Sequence, residues 1–181
     1  MNTVDVRQLF KRAIQGDVDA FGMIYETHVT EIFRFIYYRV KQRELAEDLT
    51  QTVFVKIFAR IDRIDTTYPK AYMFTVAKNI LTDHWRKKKD EVFDSGDEHH
   101  INRFSHDADI EKKLSDTQDV ERILSLLDTL PEEQQDAIRL KFIHDLETDE
   151  IAHALQTTPA NVRQLQCRGL KTLRVQLTSS L

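Results

Sequence analysis

The 181 residues are 41% apolar and 31% charged, a balance that excludes both a disordered chain and a membrane-embedded one. Four Gly and three Pro are too few for the many tight turns of an all-β sandwich and point to long helices. The net charge of −4 excludes a protein that holds nucleic acid by bulk charge, because sequence-independent affinity grows with the number of phosphates neutralised.

In chain order, residues 4–15 predict a short amphipathic helix (Val6, Leu9, Phe10, Ala13, Ile14) ended by Gly16. Asp17 then caps a long helix to about Val40, with Phe21, Ile24, Tyr25, Val29, Ile32, Phe33 and Ile36 on its apolar face. A third helix covers Glu44 to Phe58, with Leu45, Leu49, Val53, Ile57 and Phe58 inward and Glu47, Asp48, Gln51, Thr52 and Lys56 on the polar side. Residues 61–68 read as a loop. Pro69 starts a fourth helix, to about Lys88, where its missing N–H does no harm. Met73, Val76, Ala77, Ile80, Leu81 and His84 set its apolar face, and Arg86 to Lys89 close it in a basic run.

The charge then changes sign. Residues 1–89 hold 16 basic against 11 acidic side chains, and residues 90–119 hold 3 against 10. With few apolar anchors and no helical period, 90–119 predicts an acidic linker between two domains. Beyond it, Asp119 to Thr129 is helical, a second helix runs from Leu130-Pro131-Glu132-Glu133 to about Ile143, and Thr148 to Leu155 forms a third. After the turn Gln156-Thr157-Thr158, Pro159 opens the last helix, with Val162, Leu165, Leu170 and Leu173 inward. No convincing strand or internal repeat is present. The expected fold is all-α: a four-helix N-terminal domain (1–89), the linker (90–119) and a C-terminal helix-turn-helix domain (120–181).

Two segments carry recognition chemistry. From Leu146 to Arg174, a short helix, a tight turn and a longer helix form a helix-turn-helix, with Ile151, Ala152 and Leu155 packing on Val162 and Leu165. Asn161, Arg163, Gln164, Cys167, Arg168 and Lys171 fall on its outer faces, where Arg reads guanine and Gln reads adenine in a major groove. Between Tyr68 and Lys89, Tyr68, Tyr72, Phe74 and Trp85 interleave with Lys70, Lys78, Arg86, Lys87 and Lys88. Aromatic faces beside cations hold unstacked bases of a single strand, although the same aromatics also suit a core. The polar side of the Glu44–Phe58 helix is either a docking face or a solvated one. His99, His100 and His106 lie near Asp97 and Glu98, a composition that suits an acidic linker better than a metal site. No phosphate-binding glycine loop and no nucleophile motif occurs, so neither catalysis nor a cofactor is expected. A single cysteine, Cys167, allows no internal disulfide and suits a reducing, cytoplasmic setting. Met1–Asp5 has no signal-peptide signature, and no stretch approaches the ~20 apolar residues of a membrane span.

The order of these parts resembles the extracytoplasmic-function (ECF, group IV) sigma factors of bacterial RNA polymerase. Asp19-Ala20-Phe21 looks like the family's opening, Ala46 to Phe54 like its polymerase-clamp motif, and Pro69 to Asn79 continued by Asp83-His84-Trp85-Arg86 like its promoter-melting segment. Leu130 to Gln134 and Ile151 to Arg174 resemble its second domain. The resemblance implies polymerase contact by Glu47, Asp48, Gln51, Thr52 and Phe54. It implies minus-ten DNA contact by Tyr68, Tyr72, Lys78, Asn79, Asp83, Arg86 and Lys87, with loop 62–68 part of a pocket for a flipped base. Asn161, Arg163, Gln164, Cys167, Arg168 and Lys171 would meet the minus-thirty-five element. The implied partners are core RNA polymerase, promoter DNA (duplex and melted non-template strand) and an anti-sigma factor. The family commonly has Glu where Thr52 stands, and often a basic residue followed by Leu where Leu165-Gln166 stands. A stand-alone helix-turn-helix repressor, dimerising through its N-terminal helices, is the alternative on the same residues.

Overall fold

The computed structural model describes residues 5–95 and 118–179. Two compact units divide the chain, one within residues 1–106 and the other within 107–181. Every regular element among the described residues is helical.

The first unit contains α1 (Val6–Ile14), α2 (Val18–Val40), α3 (Arg43–Phe58), a single 3₁₀ turn (Ile61–Arg63) and α4 (Pro69–Ser95). Asp17 starts α2 as the sequence requires. Its carboxylate accepts the Ala20 N–H at 3.0 Å and the Arg12 guanidinium at 2.9 Å. The Ala20 N–H, with Arg12 beside it, holds that carboxyl below the usual aspartate range. Lys41 ends α2 in the left-handed conformation, its N–H closing on the Tyr37 carbonyl. α2 is the central helix and packs on α1, α3 and α4. Ile24, Ile32, Phe35 and Ile36 on α2 are buried with Leu9 and Phe10 of α1, Val53 and Ile57 of α3, and Met73, Phe74, Ala77 and Leu81 of α4. Each large side chain so buried contributes about 1.5–3 kcal/mol. The Phe35 and Phe74 rings meet edge to face, centroids 5.3 Å apart.

α4 does not stop near Lys88; its backbone stays helical to Ser95, so residues 90–95 of the expected linker belong to this helix. Periodicity reports burial rather than helicity. A run of Arg, Lys and Glu lacks an apolar face yet propagates a helix well, and no Gly lies between Gly22 and Gly96. The rest of the expected linker up to residue 117, with His99, His100 and His106, lies outside the described residues.

The second unit contains α5 (Gln118–Leu127), α6 (Glu132–Phe142), α7 (Thr148–Leu155) and α8 (Pro159–Ser179). A reciprocal capping box starts α7: the Glu147 N–H donates to Glu150 at 2.9 Å, and the Glu147 carboxylate accepts from the Glu150 N–H. Gln156 takes the left-handed φ of 54° that turns the chain into α8, and the Thr157 N–H donates to the Ala152 carbonyl at 2.9 Å. Ile151, Ala152, Leu155, Val162 and Leu165 are buried, as the helix-turn-helix reading requires. Three residues expected inward are not. Leu170 is 43% exposed on α8, Phe58 is 51% exposed on α3, and Tyr25 is also exposed on α2. At the place in α8 where Leu170 was expected to pack, Gly169 lies against α6 instead.

Candidate polymerase and nucleic-acid interfaces

On α3, Glu47, Asp48, Gln51 and Thr52 are all exposed. Asp48, Gln51, Thr52 and Val55 recur at three- and four-residue spacing and so share one outward face. Arg43 donates to Glu47 at 2.9 Å, and the Thr52 hydroxyl donates to the Asp48 carbonyl at 2.9 Å. Phe54 is 3% exposed and lies beneath this face. It points the other way, and its ring lies edge-on to Tyr25 at 4.8 Å. Sequence reasoning missed the apolar part of this surface. Val55 is 60% exposed, and Phe58 stands over Phe21 at 4.9 Å. The spacing 48, 51, 52, 55 was the available signal, because Val55 continues the polar stripe rather than the inner face.

The second set lies on α4 and the loop before it. Ile64 is buried, Asp65 accepts both the N–H (2.8 Å) and the hydroxyl (2.6 Å) of Thr67, and Pro69 is buried at the start of the helix. The loop is thereby held at both ends. Tyr68 and Tyr72 are half-buried, and the Tyr72 N–H donates to the Tyr68 carbonyl at 2.9 Å. Tyr72, Asn79, Asp83 and Arg86 share one face of α4, with Lys78 roughly 100° round the helix from Asn79. Asn79, Arg86 and Lys87 are exposed, and Lys78 and Asp83 are half-buried. Arg86 pairs with Asp83 at 3.0 Å. Trp85 carries the Lys88 ammonium 5.5 Å from its ring centre, a cation–π contact on the same basic segment.

The third set lies on α8. Arg163, Gln164, Cys167, Arg168 and Lys171 are exposed on one continuous face. Val162, Leu165, Gly169 and Leu173 form the opposite, buried face. Asn161, three residues before Gln164 and seven before Arg168, opens the same face in the first turn of α8 and is half-buried. Its amide donates to the Thr157 hydroxyl at 3.0 Å, and its N–H donates to the Thr158 hydroxyl at 3.2 Å. Leu165-Gln166 now has an explanation. Leu165 fills the core, and Gln166 donates to the Ala137 carbonyl of α6 at 3.2 Å. Arg139, one of the basic residues of this half, is 1% exposed and pairs with Asp128 at 2.5 Å and Gln135 at 3.0 Å. It holds α5 to α6 and adds nothing to the outer basic face.

Among the described residues no group of His, Cys, Asp and Glu is arranged to hold a metal, and no helix is long and apolar enough to cross a membrane. The model of Sigma-70 region 2 matches residues 24–91, and that of Sigma-70 region 4 matches residues 120–173. The chain belongs to the ECF sigma factors of RNA polymerase. It is 30% identical over 177 residues to the ECF RNA polymerase sigma factor BldN of Streptomyces coelicolor, covering 92% of this chain and 63% of BldN. Against the ECF RNA polymerase sigma factor SigM of Bacillus subtilis it is 26% identical, covering 83% of this chain and 91% of that one. Two solved structures share the fold. CnrH, solved with the cytosolic domain of CnrY, matches with a TM-score of 0.72 at 21% identity over 97% of this chain and 98% of that one. RpoE of Bartonella quintana, solved with the anti-sigma factor NepR, gives 0.67 at 21% identity over 87% and 96%. Region 2 falls on the unit that carries the α3 and α4 faces, and region 4 on the unit that carries the α8 face. The chain is a transcription-initiation factor of the promoter-directing kind.

Proposed function

We propose that this sigma factor is a dissociable subunit that performs no reaction of its own, works in the cytoplasm, and reads promoters only when mounted on core RNA polymerase. The outward face of α8 carries the reading: Arg163, Gln164, Cys167, Arg168 and Lys171 project together while Val162, Leu165 and Gly169 hold the helix to its unit. Such a helix lies in a major groove and presents Arg and Gln to base edges at the minus-thirty-five element. Asn161 joins them at the start of the helix, its first turn held by the Thr157 and Thr158 hydroxyls.

In the other unit, the Asp48-Gln51-Thr52-Val55 face with exposed Phe58 is the docking surface for the polymerase's largest subunit. Glu47 lies at its edge, and Phe54 supports it from beneath through Tyr25. The loop 62–68, Tyr68, Tyr72, Asn79, Asp83 and the basic residues Lys78, Arg86 and Lys87 of α4 hold the melted minus-ten strand. Trapping flipped bases offsets the unstacking cost of roughly a few kcal/mol per base. Residues 1–89 and 120–181 are the two functional modules, with the acidic segment between them following the polymerase's basic RNA exit path. An anti-sigma factor is the expected regulator, as CnrH and RpoE were each solved with a protein partner. Run-off transcription with the host's core polymerase tests the proposal. Transcripts from a matched promoter should require this chain, and transcription independent of it would refute the reading.

A further inference from the structure

A polar network crosses the first unit at the entrance to α4. His28 on α2 is buried, and its Nδ1 lies 3.1 Å from a carboxylate oxygen of Glu31. The other oxygen of Glu31 accepts from the Lys70 ammonium at 3.3 Å. Lys70 is the second residue of α4 and directly follows the loop at 64–68. Its side chain is mostly buried, and Glu31 is about one-third exposed. Burial pushes the Glu31 carboxyl up, but the His28 hydrogen bond and the Lys70 charge outweigh it and hold the group below the ordinary glutamate range. The carboxylate is therefore charged and engaged on both sides. Within the basic and aromatic stretch from Lys70 to Lys89, Lys70 is drawn inward by a carboxylate, whereas Lys87, Lys88 and Lys89 face solvent.

The position of the pair gives it leverage. The loop has one anchor at Ile64, whose side chain is buried, and one at Pro69. The Asp65–Thr67 bonds stiffen the loop from within. Lys70–Glu31 is a cross-helix ion pair fixing the loop's exit to α2, 39 residues away in sequence. We propose that Glu31, oriented by His28, is a positioning residue for promoter melting: through Lys70 it fixes the start of α4 and so the pocket formed by the loop and Tyr72. This rests on the minus-ten role proposed above for that loop.

The test uses the full chain with core polymerase. The probe is a promoter fragment selected by the wild-type holoenzyme from a randomised duplex library, with 2-aminopurine in the non-template minus-ten strand. Glu31→Gln and Lys70→Met should each lower the rate of 2-aminopurine unstacking by about tenfold, the scale of one charge-assisted hydrogen bond. Affinity for core polymerase should stay near wild type, and melting temperature followed by Trp85 fluorescence should drop only by the small contribution of one partly exposed ion pair, leaving the chain folded at the assay temperature. Lys70→Arg keeps the ion pair and should open the promoter at the wild-type rate. Wild-type opening rates in Glu31→Gln and Lys70→Met would overturn the proposal. So would a loss of opening that only tracks a loss of polymerase affinity or of thermal stability, or one that Lys70→Arg shares. If the wild-type holoenzyme selects and opens no promoter at all, the minus-ten reading itself fails, and the proposal falls with it.

Discussion

Replacing Gly169 with Ala tests how the recognition helix is seated. A Cβ built on Gly169 falls 2.6 Å from Ile138 Cδ1, 3.4 Å from Gln134 Cβ and 3.4 Å from Leu130 Cδ1. Carbon atoms pack best at about 3.5–4.0 Å, so only the Ile138 contact is a real overlap. Overpacking of this kind costs about 1–3 kcal/mol, while Gly→Ala inside a helix returns about 1 kcal/mol. Gly169→Ala should therefore destabilise the second unit by about 0–2 kcal/mol. Ile138→Val deletes the Cδ1 atom itself and alone costs about 0.5–1.5 kcal/mol. In the double variant the new methyl occupies the space Cδ1 leaves, so the overlap and the hole cancel and the helix gain remains. The double variant should be more stable than wild type by up to about 1 kcal/mol, with a favourable coupling of about 1.5 kcal/mol or more between the two sites. The assay needs care, because Trp85 and all five Tyr lie between residues 25 and 85, and fluorescence sees only the first unit. Hydrogen exchange by mass spectrometry on α6 and α8 peptides reports the second, with the fluorescence transition as an internal control. Effects that add to within about 0.5 kcal/mol would refute the contact between these helices.

Three further outcomes follow from single contacts. Asp128→Ala takes the Asp128 carboxylate from the buried Arg139 guanidinium, which keeps its Gln135 bond, and should cost up to about 3–5 kcal/mol, whereas Arg139→Met removes the charge itself and should cost less; exchange on α6 peptides gives the order, and the reverse order would contradict it. Arg168→Ala should weaken minus-thirty-five recognition by the holoenzyme by about 1–3 kcal/mol and relax selectivity at one base, while Lys171→Ala should weaken binding evenly across sequences; competition binding with single-base promoter variants separates the two, and unchanged selectivity in Arg168→Ala would remove it from the readers. Glu31 has a folded-state pKa below its ordinary value of 4.5, so its contribution to stability is complete above that pH and is lost as pH falls through the folded-state value. Melting temperature followed by Trp85 fluorescence from pH 6 to pH 3 should fall less steeply in Glu31→Gln than in wild type, and equal slopes would count against the network.

Much of this molecule is legible along the chain because its helices are amphipathic and capped. Asp17, Pro69 and Pro159 mark starts through local chemistry that needs no tertiary context. The outer face of α8 was legible for the same reason: Val162, Leu165 and Leu173 mark a buried stripe that leaves one opposite side. Misreadings arose where tertiary contact decides. Leu170 and Phe58 satisfy a helical period locally, yet the neighbouring helices meet Gly169 and Ile57 instead. The Glu31–Lys70 pair joins helices 39 residues apart, and nothing in the local pattern announces it.

The account's central claim is that this acidic chain becomes a sequence reader only on the polymerase, and one binding measurement addresses it directly. Fluorescence anisotropy of a labelled duplex promoter is recorded with the purified chain, with core polymerase, and with both, at physiological salt. The expected result is negligible selective binding by the chain alone, non-selective binding by core polymerase, and tight binding by the pair that falls when the minus-thirty-five or minus-ten element is scrambled. Tight and selective capture by the chain alone, at a two-fold symmetric site, would contradict the account and favour a stand-alone repressor.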